Sequence, residues 1–247
     1  MILKKFFLVL ITILVSNSIF AQEFDFSKYA LALSKITTYA DNLGYMEAVD
    51  INNIKEEEDI LWNEGNSGYI YTESISSIDL FAYKILDKKE NKLIVHVFQD
   101  PKGTTVNSYI FELLIYNDHL ILDNIIEGGD RCQSSVVMDE IEIKDKVLSY
   151  SSYITPYKLM SWFGQEDLDY KFADCMYCCI GFANYTYSFE TNKKEFENIL
   201  IIEEYLDDDS IIKKTYDKFV KSRDLKLSLR LDSNELKEFI NYTKKKL

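Results

Sequence analysis

Between residues 77 and 205 the chain reads as successive pairs of short apolar-rich segments, each pair closed by a few polar residues. "SIDLFAYKIL" and "KLIVHVFQ" flank "DKKEN", and "SYIFELLIY" and "HLILDNII" flank Asn117–Asp118. "SVVMDEIEIK" and "VLSYSSYI" turn around Asp145, and "GFANYTYSFE" and "FENILIIEEY" turn around Asn192. Strand side chains alternate between two faces, so a half-buried strand shows a period of two. In "GFANYTYSFE" the odd positions Ala183, Tyr185, Tyr187 and Phe189 are apolar, and the even positions Asn184, Thr186, Ser188 and Glu190 are polar. Strands joined by turns this short run antiparallel to their neighbours. The expected fold is therefore α+β and β-rich, an antiparallel meander that forms a curled sheet, a barrel or a sandwich.

Turn chemistry supports the same reading. The chain has 8 glycines and 2 prolines, so few turns can use glycine to reach positive φ. Asn and Asp are the other residues that tolerate the left-handed region, and they sit where the hairpins must close. The 18 tyrosines are also at home in strands. Inside the meander, Thr155–Pro156 opens a short helix, "PYKLMSWF", because proline is pre-organised for the first helical position.

Helical periodicity marks the two ends. Phe26, Tyr29, Ala30, Leu33, Ile36, Ala40 and Leu43 are spaced by three and four, predicting an amphipathic helix over 25–43. The acidic run "KEEED" at 55–59 reads as a solvated face. Toward the C-terminus, "DSIIKKTYDKFVKS" is helical with Asp209 or Ser210 as cap, and "LKLSLRL" alternates. "DSNELKEFINYTKKK" opens with Asp232 and Glu235 at capping-box spacing. Ahead of everything, "MILKKFFLVLITILVSNSIFA" joins Lys4 and Lys5 to an apolar run from Phe6 to Val15 and ends on Ala21. That is the pattern of a secretory signal peptide, and its apolar run is shorter than the roughly 18–20 residues of a membrane span. The organisation read from these signals is a signal peptide at 1–21 and an N-terminal helix with acidic connector at 22–66. A disulfide-bonded β domain follows at 67–205, and a helix–strand–helix appendage at 206–247.

Export to the periplasm or the extracellular space governs the cysteines, because thiols in an oxidising compartment pair when they can meet. Three of four lie in "DCMYCC", as Cys175, Cys178 and Cys179, with Cys132 far upstream. Adjacent Cα atoms stand about 3.8 Å apart, below the usual disulfide range of about 4.4–6.8 Å, which disfavours Cys178–Cys179. Cys179 shares parity with the apolar face of the following strand, and Cys178 points away. Cys132–Cys179 with Cys175–Cys178 is thus the favoured pairing, and Cys132–Cys178 with Cys175–Cys179 the alternative. A redox-active CxxC needs a helix N-terminus after it, and here a strand follows. A zinc site lacks a second CxxC, and His96 and His119 are the only histidines.

Charge narrows the partners. Losing Lys4 and Lys5 with the signal peptide takes the net charge from −13 to −15. That acidity disfavours nucleic acid, whose phosphates draw on Lys/Arg clusters, and suits a basic protein partner. No stable membrane insertion is expected after signal cleavage. Neither a Gly-x-Ser-x-Gly elbow nor His-Glu-x-x-His occurs, so no catalytic residues, metal ligands or cofactor are assigned. His96 falls on the Ile94/Phe98 face of its strand, where a satisfied core histidine is expected. Asp139 and Glu140 are expected on opposite strand faces. The candidate binding turn is Glu127–Gly128–Gly129–Asp130–Arg131, which could cradle an anion on its amides or a cation on its carboxylates, or simply lead into the Cys132 bond. The expectation is an exported, disulfide-stabilised, non-enzymatic binding or inhibitory module for a protein partner. A secreted hydrolase, or a calcium-dependent or carbohydrate-binding module, is the alternative.

Overall fold

The computed structural model describes residues 31–37, 48–53, 60–64, 68–74, 80–100, 106–162, 172–223 and 228–245. The expected signal peptide at 1–21, the acidic run at 55–59 and the flanks of the predicted N-terminal helix lie outside these residues. Helical structure at 31–37 (α1) is the described part of that helix.

Among the described residues, twelve strands form two antiparallel sheets. They are β1 (Ala48–Asp50), β2 (Ile60–Glu64), β3 (Ile70–Ser74), β4 (Leu80–Lys89), β5 (Lys92–Asp100), β6 (Asn107–Tyr116), β7 (His119–Asp130), β8 (Glu142–Lys144), β9 (Val147–Ile154), β10 (Gly181–Ser188), β11 (Lys193–Ile202) and β12 (Ser228–Asp232). The first sheet runs β1-β7-β6-β5-β4-β3-β2, and the second β12-β11-β10-β9-β8. Apart from β1, which crosses over to pair with β7, each strand neighbours the next in sequence within its sheet, so the β-rich antiparallel expectation holds, in the form of a curled half-barrel.

The hairpins close where the sequence places them. Asn117 and Asp118 both take positive φ (48° and 62°), as do Asp145 and Lys146 (50° and 61°). Two consecutive left-handed residues match the right-handed twist of the flanking strands. Three segments depart from expectation. β1 and β2 extend the first sheet upstream of residue 67, β1 by three antiparallel pairs with β7. The stretch 135–141 is not a strand. Val136 makes a single bridge to Ser152, and Met138–Glu140 is a 3-10 turn. Here the chain is crossing from one sheet to the other, and the Val136 carbonyl accepts from the Ser108 hydroxyl instead of a strand neighbour. β11 likewise ends at Ile202, and Glu203–Tyr205 is another 3-10 turn, with the Leu206 N–H returning to the Glu203 carbonyl.

Two cores result. One face of the first sheet buries Phe81, Tyr83, Val95, Phe111 and Leu120 beneath Ala32, Leu33 and Ile36 of α1. Its other face turns Ile94 and Ile110 toward Leu148, Tyr150, Tyr185 and Tyr187 of the second sheet. Helices α2 (Pro156–Ser161), α3 (Ile211–Arg223) and α4 (Ser233–Lys244) complete that second core, through Leu159, Ile212, Tyr216, Leu236 and Phe239. Each large apolar side chain buried this way contributes about 1.5–3 kcal/mol. The C-terminal helix–strand–helix docks on the sheet: β12 pairs with β11 from Asn198↔Asp232 to Ile202↔Ser228. Ser210 caps α3 by accepting from the Lys213 N–H (3.2 Å). Asp232 and Glu235 cap α4 reciprocally, as their spacing predicts.

Candidate functional site

Both disulfides lie at one end of the second sheet. Cys132 is bonded to Cys179 across a Cα separation of 4.8 Å, and Cys175 to Cys178 across 5.4 Å; no free cysteine remains. A fully oxidised set of four belongs to an oxidising compartment rather than a reducing cytosol. The pairing follows strand direction. Ala183, Tyr185 and Tyr187 of β10 are buried, Cys179 is half-buried two residues before the strand, and Cys178 is exposed. At this end β9 stops at Ile154, β10 starts at Gly181 and β11 stops near Ile201, the three residues standing side by side. The connecting segments therefore gather Tyr157, Tyr177 and Tyr205 around the disulfides. All three are exposed (40%, 55% and 44%), and Tyr157 stacks on Tyr177 with ring centroids 5.7 Å apart.

Beside them opens a cleft of about 650 Å³ between the two sheets. Phe98, Val106 and Ser108 of the first sheet side form one wall, and Tyr153 and Tyr205 the other. The crossing segment Val136–Asp139 and the Cys132–Cys179 bond lie between. Asp139 and Glu140, expected on opposite faces of a strand, instead share the 3-10 turn at the cleft and are both exposed. Burial is the main cause that raises the Tyr153 hydroxyl pKa, and Tyr205, Glu140 and Asp139 add to it electrostatically.

The run Glu127–Arg131 is divided. Glu127 is buried between the sheets, where its carboxylate accepts from Lys194 Nζ at 2.6 Å. That ammonium also stands 4.1 Å from the Tyr185 ring centroid. Burial first, then the Glu127 charge, raises the hydroxyl pKa of Tyr150 and Tyr185. Gly128 and Gly129 are needed for close approach. A Cβ on Gly128 would overlap the Tyr109 ring, and one on Gly129 the Gln133 carbonyl oxygen. Asp130 and Arg131 pair with each other at 3.1 Å, and only Arg131 of the five lines the cleft. The Gly128 N–H faces the Glu127 carboxylate (3.4 Å), and the Arg131 N–H goes to the Val106 carbonyl (2.7 Å). These amides do not converge on an open anion site: Glu127–Asp130, expected as a turn, are the last residues of β7 and pair with β6, and the turn into the Cys132 bond begins only at Arg131.

One constellation was not legible in the sequence. His96 is fully buried, with Ser108 Oγ 2.8 Å from Nε2 and the Tyr69 hydroxyl 2.8 Å from Nδ1. Its outline is that of a nucleophile, a base and an orienting group, but the protons run the other way. Ser108 spends its only proton on the Val136 carbonyl (2.8 Å), so its oxygen accepts from His96 Nε2–H. Nδ1 is left to accept from Tyr69. The imidazole therefore offers Ser108 a proton rather than a lone pair, the reverse of what activates a serine. Burial, and secondarily the charge of Lys84, pushes the His96 pKa down to about 3. The parity of β5 identified the face; the partners, 27 and 12 residues away, carried no sequence signal.

Elsewhere a smaller cavity of about 330 Å³ lies between Trp162, Tyr185 and Phe196 and the first turn of α4 at Ser233, Leu236 and Lys237. Among the described residues, no group of three or more His, Cys, Asp or Glu could hold a metal ion, and no helix is long and apolar enough to cross a membrane. No family model, curated protein or solved structure matches the chain.

Proposed function

We propose that the protein is an exported, disulfide-stabilised binding or inhibitory module that docks a basic protein partner at the tyrosine-rich end of its second sheet. The observation that carries this reading is the gathering of Tyr157, Tyr177 and Tyr205, all exposed, around two disulfides at one sheet end. Tyrosine is enriched at protein interfaces because its ring supplies apolar area and its hydroxyl a hydrogen bond. The disulfides restrain the loops that carry it, which lowers the ordering cost of binding. The net charge of −13 supports a basic partner. A photo-crosslinking residue at position 177, in the protein exported from its native cells, should yield a discrete adduct. The same residue at position 116, exposed in the hairpin between β6 and β7, should not. Equal labelling from both positions, or none from 177, contradicts the reading.

A second reading, a carbohydrate-binding module, draws support from the smaller cavity, where Trp162 meets Phe196 edge to face at 5.8 Å and Phe196 meets Tyr185 likewise. Quenching of Trp162 fluorescence by soluble glycans, lost in Phe196→Ala, would favour it over the protein partner.

A further inference from the structure

The cleft beside the tyrosines is apolar within, fixed in shape, and acidic at its mouth. Its volume of about 650 Å³ falls within the roughly 300–1,000 Å³ of sites that enclose a ligand group. Its shape is tied down from several directions. The Cys132–Cys179 bond joins the start of the crossing segment to the entry of β10. The Ser108 hydroxyl holds the Val136 carbonyl, the Val137 N–H donates to the Ser151 carbonyl (2.9 Å), and the Tyr153 N–H donates to the Ser135 carbonyl (2.9 Å). An occupant would meet walls already in place and lose little free energy to ordering them.

Charge selects the occupant. Among the described residues of the lining, Arg131 is the cation, and Asp130 already engages it. Asp139 lines the cleft and Glu140 follows it in the same turn, both are exposed, and neither forms an ion pair with a cation among the described residues. An anionic ligand would meet uncompensated carboxylates there, while a cationic one would supply the missing partners. An apolar side chain alone would fill the interior but leave those carboxylates unpaired. Resting on the protein-partner reading above, we propose that the cleft receives a basic segment of that partner. One large apolar side chain enters between Val136, Met138 and Tyr205, and flanking lysines or arginines meet Asp139 and Glu140.

The test uses the full exported chain with both disulfides intact and two capped probe peptides, Lys-Arg-Phe-Arg-Lys and Glu-Asp-Phe-Asp-Glu, followed by backbone NMR shifts. The basic probe should shift resonances of residues 135–140, 153 and 205 and bind at least about tenfold more tightly than the acidic one. Its affinity should fall severalfold between about 0.05 and about 0.3 M salt, as screening shortens the reach of the carboxylates. Replacing its phenylalanine by serine should weaken it about tenfold. Asp139→Lys with Glu140→Lys, both at exposed positions, should abolish the preference for the basic probe. Tyr205→Ser should weaken binding while leaving the charge preference intact. Equal affinity for the two probes, an unchanged preference in the charge-reversed variant, or shifts confined to other faces would overturn the cleft assignment. So would no shift at millimolar basic probe. If the crosslink from position 177 persists in the charge-reversed variant at full yield, the cleft assignment fails and the protein-partner reading stands. Loss of that crosslink in the charge-reversed variant alone supports both, and no crosslink in either protein sinks the reading itself.

Discussion

Acidification from about pH 7 to about pH 5 should weaken the native fold chiefly through His96. The folded imidazole, sealed between Tyr69 and Ser108 with Lys84 nearby, has its pKa pushed down to about 3 from the ordinary 6.5. Well above pH 6.5 both states are neutral and the residue contributes no pH dependence. Below it the unfolded chain takes up a proton that the folded chain refuses until the pH nears 3, so stability falls across that window and then levels. Linkage between those two pKa values gives a loss of about 2 kcal/mol from pH 7 to pH 5, most of it before carboxylates begin to titrate. The cause is structural as well as dielectric, because an imidazolium cannot accept the Tyr69 hydroxyl proton at Nδ1. His96→Gln is the control. Its amide can still donate to Ser108, but the Tyr69 hydroxyl loses its acceptor, which should cost about 1–3 kcal/mol at any pH. Urea unfolding of both proteins with disulfides intact should show the wild type losing about 2 kcal/mol more than the variant over that range. Parallel stability curves, or a folded His96 seen by NMR to titrate near 6.5, would refute the buried neutral assignment.

Other outcomes follow from the same geometry. Cys132→Ser should cost about 2–5 kcal/mol, and Cys175→Ser with Cys178→Ser together less, because the first bond closes a loop of far greater length; non-reducing urea titrations compare them. Lys194→Met should destabilise by about 3–5 kcal/mol by leaving Glu127 buried without a cation. Adding Glu127→Gln to it should recover most of that loss in a thermal melt. The exported protein should begin at or near Gln22, which intact mass reads directly as the loss of about 21 residues.

Local chemistry accounts for what was legible in advance. Asn117–Asp118, Asp145 and Asn192 announced turns because a left-handed backbone is tolerable to few residues, and the structure puts positive φ at all of them. Pro156 announced a helix start through its fixed φ, and Asp232 with Glu235 announced another through capping bonds that span three residues. The parity of Cys179 with Tyr185 and Tyr187 favoured one disulfide pairing for the same reason, since alternation is a property of a single strand. The stretch 135–141 shows the limit. "SVVMDEI" has strand composition, but its conformation is set by Ser108, 28 residues before Val136, and by Ser151 and Ser152 on β9.

The sequence by itself determined the antiparallel meander, its turns and its helix caps, because each depends on φ preference, side-chain period or a hydrogen bond within one turn. Only the tertiary structure decided that the strands divide into two sheets after β7, and that Asp139 and Glu140 share a 3-10 turn beside the cleft instead of opposing strand faces. It alone decided that the His96 Nε2–H donates a hydrogen bond to Ser108 Oγ. Those outcomes rest on contacts between segments tens of residues apart, and a side chain's own neighbours in the chain carry no record of which distant partner will satisfy it.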